Sequence, residues 1–298
     1  MIVSVASGKG GTGKTTVTAS LLSVWEAPVA ALDLDVEEPN LHLFLKPDLR
    51  ESFEEHMEVP VVDEERCTAC GKCSEICQFQ AIKVMAGHCL VFSEMCHGCG
   101  GCLAVCPEQA LSPGNRVLGT VEQGFAHTLW SKIDFLMGRL RVGEAMSPPL
   151  MQRAKARLGR LLDEKPMDAI IDAPPGVSCP AVAAVMDTDV ILLVTEPTPF
   201  GFHDFKLAYE AFSPMGAPMG AVINRAGLGD RSVYEFCAEK GLPILAEIPY
   251  HRAVAEAYAR SKVVARISQD MRDIFIHLRD GLRELAAGPK AGKEAAHA

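Results

Sequence analysis

The sequence predicts an α/β protein with a doubly wound, mostly parallel sheet and one small α+β insertion. Three observations carry this. A short apolar run, Ile2-Val3-Ser4-Val5-Ala6, leads straight into a glycine-rich turn and then a helix. Further short apolar runs alternate with helical segments through the second half of the chain, which is how fully buried parallel strands and their crossover helices read. Between residues 59 and 114 the texture changes to dense cysteine and glycine.

Composition narrows the function. The 298 residues carry a net charge of −9, a surface that repels phosphate backbones and anionic lipid, so nucleic acid is not an expected partner. A strand entered at residue 2 leaves no signal peptide, and no apolar run approaches the roughly 18 residues of a membrane helix. A cytoplasmic protein without stable membrane insertion is expected. In that setting the eleven cysteines read as metal ligands or reactive groups before disulfides.

The first element in order is the turn itself. Gly8-Lys9-Gly10-Gly11-Thr12-Gly13-Lys14-Thr15-Thr16 fits G-x-x-x-x-G-K-[ST], in which glycines free backbone N–H groups to wrap a phosphate chain at a helix N-terminus. Lys14 is expected to reach the β- and γ-phosphates and Thr15 to offer its hydroxyl to Mg²⁺. The helix runs on through Val17 to Val24. Val29-Ala30-Ala31-Leu32 is a second buried strand, ending at Asp33-Leu34-Asp35. Carboxylates at the C-terminal end of a parallel strand stand where such sheets bind ligands. One of Asp33 and Asp35 is expected to position the attacking water or hold the Mg²⁺ shell. Glu38-Pro39-Asn40-Leu41 begins a loop or short helix.

Next come Cys67-x2-Cys70-x2-Cys73-x3-Cys77 and Cys96-x2-Cys99-x2-Cys102-x3-Cys106-Pro107. This is the bacterial two-cluster ferredoxin spacing, given twice. Three thiolates two residues apart wrap one corner of an iron–sulfur cube, and the fourth reaches across to the other cluster. Cys67, Cys70, Cys73 and Cys106 are therefore assigned to one [4Fe–4S] cluster, and Cys96, Cys99, Cys102 and Cys77 to the second. Gln78 replaces the proline usual after the fourth cysteine. Cys89 fits neither set and is read as a small apolar filler, while His88 and His97 are surface or near-cluster residues. The sequence leaves two arrangements open for this block, fixed on the nucleotide-binding domain or swinging on linkers near residues 50–66 and 110–120.

After Pro113-Gly114 the chain returns to ordinary α/β texture. Met151 to Leu162 is an amphipathic helix. Ala169-Ile170-Ile171-Asp172-Ala173-Pro174-Pro175-Gly176 ends a strand with a carboxylate and a turn, the form of a Walker-B aspartate on Mg²⁺ followed by a γ-phosphate-sensing loop. Val190 to Thr195, Gly220 to Ile223 and Ile244 to Ile248 are further strands, with helices at Phe202 to Phe212, Ser232 to Lys240 and Ala253 to Ser261. The last helix, Gln269 to Ala286, places Ile274, Leu278, Leu282 and Leu285 on one stripe, and its mixed-charge opposite face suits packing on the sheet. The expected division is 1–58 and 115–287 for the nucleotide-binding domain, 59–114 for the inserted ferredoxin domain, and 288–298 for a disordered tail.

Taken together, Lys9-Gly10-Gly11-Thr12-Gly13-Lys14-Thr15, Asp33-Leu34-Asp35, the eight-cysteine block, Asp172-Ala173-Pro174-Pro175-Gly176, Thr195-Glu196-Pro197-Thr198 and Asn224-Arg225 resemble the MinD/ParA/Mrp group of deviant P-loop ATPases, in the form that carries an inserted ferredoxin domain. The resemblance implies ATP and Mg²⁺, and a homodimer formed on ATP binding in which the signature Lys9 reaches the partner's phosphates. It puts Asp35 in the water-activating role with Asp33 on the Mg²⁺ side, and makes Asn224 the adenine reader. By analogy with the nitrogenase iron protein, ATP hydrolysis coupled to electron transfer through the two clusters is expected, with an unknown electron donor, acceptor or client protein. The alternatives are an iron–sulfur assembly or carrier ATPase, and a redox-sensing, MinD-like spatial ATPase. No basic C-terminal anchor and no C-terminal C-x-x-C is present. Cys179 follows Asp172 at the interval of the cluster-ligating cysteine in the nitrogenase iron protein, but without that protein's second ligand. A buried structural role is expected for it.

Overall fold

A computed structural model describes residues 1–128 and 132–288. The expected disordered tail from 289 onward lies outside the described residues. In chain order the strands are β1 Ile2–Ala6, β2 Val29–Asp33, β3 Asp48–Val62, β4 Ile82–Met85, β5 His88–Val91, β6 Leu111–His127, β7 Lys132–Leu140, β8 Asp168–Asp172, β9 Val190–Thr195, β10 Met219–Ala226 and β11 Ile244–Pro249. The helices are α1 Lys14–Ser23, α2 Leu41–Leu45, α3 Lys72–Ile76, α4 Gly101–Ala104, α5 Ser147–Glu164, α6 Cys179–Val185, α7 Pro199–Phe212, α8 Ser232–Lys240, α9 Arg252–Ala259 and α10 Gln269–Ala287.

Nine strands form one sheet in the order β11-β10-β9-β1-β8-β2-β7-β6-β3, and β4 pairs with β5 in a separate hairpin. From β11 to β7 every pairing is parallel. Sequence alternation sends successive side chains to opposite faces. Val190, Leu192 and Val194 of β9 join the face covered by α1 and α10, while Ile191 and Leu193 join the face covered by α5 to α8. Burial on both faces is why these strands read as unbroken apolar runs. The stripe of the last helix packs as expected: Leu278 and Leu282 are fully buried beside Phe275, and Ile274 and Leu285 lie against the same core.

The other end of the sheet differs from the sequence expectation. The segments read as linkers near 50–66 and 110–120 are the long antiparallel strands β3 and β6, paired from Asp48↔Phe125 to Val62↔Leu111. β6 pairs in turn with β7. The expected boundaries at 58/59 and 114/115 thus fall inside paired strands, and the cysteine segment caps a stiff ribbon that grows out of the sheet. β3 escapes detection because it is an edge strand with one wet face, whose Glu51, Glu54 and Glu58 are exposed. Such charges keep an edge from pairing with other chains and erase the apolar run.

Small clusters join ribbon to cap. Met57, Val59 and Leu118 pack with Ala81 and Cys96, and Met146 lies against them. Beyond them Ile82, Cys73 and Leu111 form a second cluster. Arg116 on β6 ties the parts with charge. Its Nε stands 3.1 Å from Glu144 Oε2, and its Nη1 donates to the Ser93 carbonyl. Arg141 adds a contact of 2.8 Å to Glu94.

Candidate functional site

The strand order reverses around β1, which lies between β8 and β9. A doubly wound sheet opens its ligand crevice at the C-terminal ends of such strands. The turn Gly8 to Thr16 leaves β1 there. Gly13 has φ +92°, and a Cβ on it would stand 2.3 Å from Asn224 Nδ2, so only glycine fits. Asn224, at the end of β10, donates through Nδ2 to the Thr12 carbonyl at 2.7 Å. Beside Gly10 and Gly11 the space is open. The buried hydroxyls Thr12 Oγ1 and Thr16 Oγ1 have no hydrogen-bond partner. Orphaned donors beside open backbone are what a phosphate chain would satisfy.

Three carboxylates converge below this loop. Asp172 sits beside Lys14, Nζ to Oδ1 3.5 Å, and accepts from Thr15 Oγ1 at 2.6 Å. Thr18 Oγ1 lies 3.0 Å from its other oxygen. Asp33 stands directly opposite Asp172 in the β2–β8 register and accepts from the amides of Asp35 and Leu41. Burial, and then the charge of Asp172, push the Asp33 carboxyl well above the usual range. Two adjacent carboxylates in a dry site ionise together only when a cation joins them, so this pair with the Thr15 hydroxyl suits Mg²⁺. Burial, opposed by Lys14 and reinforced by Asp172, raises Asp35 to about 6. Asp35 lines a cleft with Ser147, Met151, Pro174, Pro175 and Ser178. Across the loop, the Gly176 amide donates to the Ser7 carbonyl at 2.9 Å.

Lys9 lies within this chain's own site. Its Nζ is 2.7 Å from Glu196 Oε1, and Arg225 Nη1 is 2.6 Å from the other oxygen. Burial would raise the Glu196 pKa, but the Lys9 hydrogen bond and the charges of Lys9 and Arg225 outweigh it and hold the carboxyl below its usual range. Sequence reading passed over Glu196, Arg225 and Thr18 as functional residues. The only local signal was the position of Glu196 and Arg225 just past strand ends. Cys179 is exposed at the N-terminus of α6. This corrects the expectation of a buried residue: α6 turns Ala181, Ala184 and Val185 inward, and the helix start is left in solvent.

The cysteines collect into two cavities. Cys67, Cys70, Cys73 and Cys106 line one, and Cys77, Cys96, Cys99 and Cys102 line the other. Gly71 and Gly100, at φ +82° and +70°, start the short helices α3 and α4, so each C-x2-C-x2-C run wraps tightly. Backbone amides point at sulfur: Ala81 N donates to Cys77 Sγ at 3.3 Å, Gly98 N to Cys96 Sγ at 3.4 Å and Ala110 N to Cys106 Sγ at 3.3 Å. Cys89, expected as a small apolar filler, packs against the cluster of Cys73, Ile82 and Leu111. It shares the first cavity, with its Sγ 3.8 Å from Cys73 Sγ. Phe79 and His97 stack at 3.6 Å beside the second. Among the described residues no three His, Cys, Asp or Glu side chains close around a single metal ion.

Residues 3–264 match the CobQ/CobB/MinD/ParA nucleotide binding domain family. Two uncharacterized proteins of Methanocaldococcus jannaschii are similar along nearly the whole length. One is 30% identical over 283 residues, covering 94% of this chain and 97% of that protein. The other is 28% identical over 269 residues, covering 88% and 90%. Among solved structures, the cell division ATPase MinD of Pyrococcus furiosus superposes with a TM-score of 0.57 at 23% identity, covering 95% of this chain and 98% of that one. The septum site-determining protein MinD of Pyrococcus horikoshii, complexed with Mg-ADP, gives 0.57 at 21% identity, covering 97% and 98%.

Proposed function

The chain belongs to the CobQ/CobB/MinD/ParA nucleotide-binding family, and from that membership we propose a Mg²⁺-dependent, homodimeric ATPase whose nucleotide state is coupled to electron transfer through two [4Fe–4S] clusters. The observation that carries the redox half is the sorting of the cysteines. The eight thiols of the two runs separate into two cavities, with Cys106 of the second run in the first cavity and Cys77 of the first run in the second. That crossing is the two-cluster ferredoxin arrangement. Zinc usually takes two C-x2-C pairs, not two runs of four cysteines.

Hydrolysis asks the protein for positioning and charge more than for covalent chemistry. The Gly10 to Gly13 amides and Lys14 cradle the phosphates, and the orphaned Thr16 hydroxyl gains a partner. Thr15, whose hydroxyl donates to Asp172, would hold Mg²⁺ together with Asp172 and Asp33, and the ion would offset the charge of the phosphates. Asp35, at about 6 in the free protein, is poised to orient the attacking water and take its proton near neutral pH. Lys9 leaves Glu196 for the partner's phosphates. When bound, each cluster supplies a one-electron couple, held by its four thiolates.

The coupling has a physical path. The cleft beside Asp35 is walled by Ser147 and Met151 of α5, and Met146, the residue before α5, packs on the cluster of side chains containing Cys96. A shift of the loops at the nucleotide is thereby passed to the second cavity. Anaerobic reconstitution followed by redox titration with and without a nonhydrolysable ATP analogue tests the proposal. Eight irons per chain and a potential shift of roughly 40–130 mV are expected, the equivalent of about 1–3 kcal/mol of coupling. A count far from eight removes the clusters, and a shift of zero removes the coupling.

A further inference from the structure

We propose that Cys89 is a fifth thiol of the first cluster, not a ligand but a hydrogen-bond donor that sets the potential of the cluster held by Cys67, Cys70, Cys73 and Cys106 apart from that of its neighbour. The inference rests on the iron–sulfur reading above. Its position follows from the hairpin. Met85 pairs with His88 across the two-residue turn Ala86-Gly87, both at positive φ, 51° and 81°, the tight turn whose twist matches the flanking strands. That turn locks the register, so Val84 stands opposite Cys89. Alternation along the strand then sends Cys89 into the cavity while Leu90 is left 43% exposed. A slip of one residue would reverse the two.

The result is a sulfur 3.8 Å from Cys73 Sγ, inside a cavity already provided with four thiols. Four cysteines complete the ligation of a four-iron cluster, so the fifth keeps its proton and can donate it. Hydrogen bonds to the sulfurs of a cluster and its ligands favour the more negative, reduced state and raise the potential. The second cavity has four cysteines and no fifth sulfur among its described lining residues. The two clusters are therefore inequivalent: the first set has the Cys89 thiol and the Ala110 amide beside its sulfurs, the second the amides of Ala81 and Gly98.

The test uses the full-length, anaerobically reconstituted protein. Iron and sulfide are counted first, and each cluster is then titrated by electron paramagnetic resonance in wild type, Cys89→Ala and Cys89→Ser. With eight irons retained in all three, Cys89→Ala is expected to lower the reduced-to-oxidised ratio of one cluster about fivefold at fixed potential, about 40 mV for a one-electron couple. Cys89→Ser, which keeps a donor, is expected to recover at least half of that shift. Unchanged potentials in Cys89→Ala overturn the proposal, as does an equal shift in Cys89→Ser. Loss of four irons on substitution also overturns it, because Cys89 would then be a ligand. Wild-type protein without eight irons instead defeats the iron–sulfur reading itself, which separates the two failures.

Discussion

Replacing Arg116 by Met strands a carboxylate. Glu144 has a fully buried side chain and Arg116 is 5% exposed, at 3.1 Å. Removing one partner of a buried pair costs about 3–5 kcal/mol, because the other charge stays desolvated without compensation. Here Glu144 keeps the amides of Ala145 and Met146, at 3.0 and 2.9 Å, and Arg141 at 3.6 Å. The cost should therefore fall at the low end, about 3 kcal/mol. The double variant R116M/E144M removes both charges and should lie within about 1 kcal/mol of wild type. Urea unfolding measures all three, and hydrogen exchange should place the loss of protection at the β3–β6 ribbon. Arg116 Nη1 also donates to the Ser93 carbonyl, three residues from Cys96, so under the proposed function R116M should shrink the ATP-dependent potential shift with the iron count intact. A single-variant cost below about 1 kcal/mol, or a double variant worse than the single, would refute the reasoning.

Two further outcomes follow from the nucleotide site. Asp35 is raised to about 6, so its ionised fraction falls tenfold for each pH unit below that value. If it is the water-orienting base, kcat/KM for ATP should fall on the acid side with an apparent pKa near 6, since kcat/KM reports groups of the free enzyme. D35N should lower the rate and abolish that acid limb, and a surviving limb would assign it to another group. E196Q weakens the hold on Lys9 at 2.7 Å. Half-maximal dimerisation should then require about fivefold less ATP analogue, equivalent to about 1 kcal/mol. Light scattering across an analogue titration measures it, and an unchanged midpoint would show that Glu196 does not restrain Lys9.

Much of the molecule was legible in local pattern. The parallel strands are short and apolar because both their faces are covered, so β1, β2, β8, β9, β10 and β11 announced themselves. β3, β6 and β7 did not. β3 and β6 are antiparallel and lie at the edge, β7 joins them to the parallel part by pairing parallel with β2 and antiparallel with β6, and six of the fifteen residues of β3 are charged. Pro60 and Pro113 sit opposite each other in the ribbon, at its outer end where few ladder bonds are lost.

The sequence by itself determined the glycine-rich loop and the spacing of the cysteine runs, because in both cases the pattern is written within a few consecutive residues. A glycine at fixed spacing frees an amide, and a cysteine two residues from the next reaches the same corner. Tertiary structure decided everything that depends on partners far along the chain. It set Asp33 against Asp172, placed Glu196 on Lys9 across 187 residues, turned expected linkers into a paired ribbon, and brought Cys89 to Cys73. No local periodicity encodes which strand lies beside which, so these contacts became visible only once the sheet had closed.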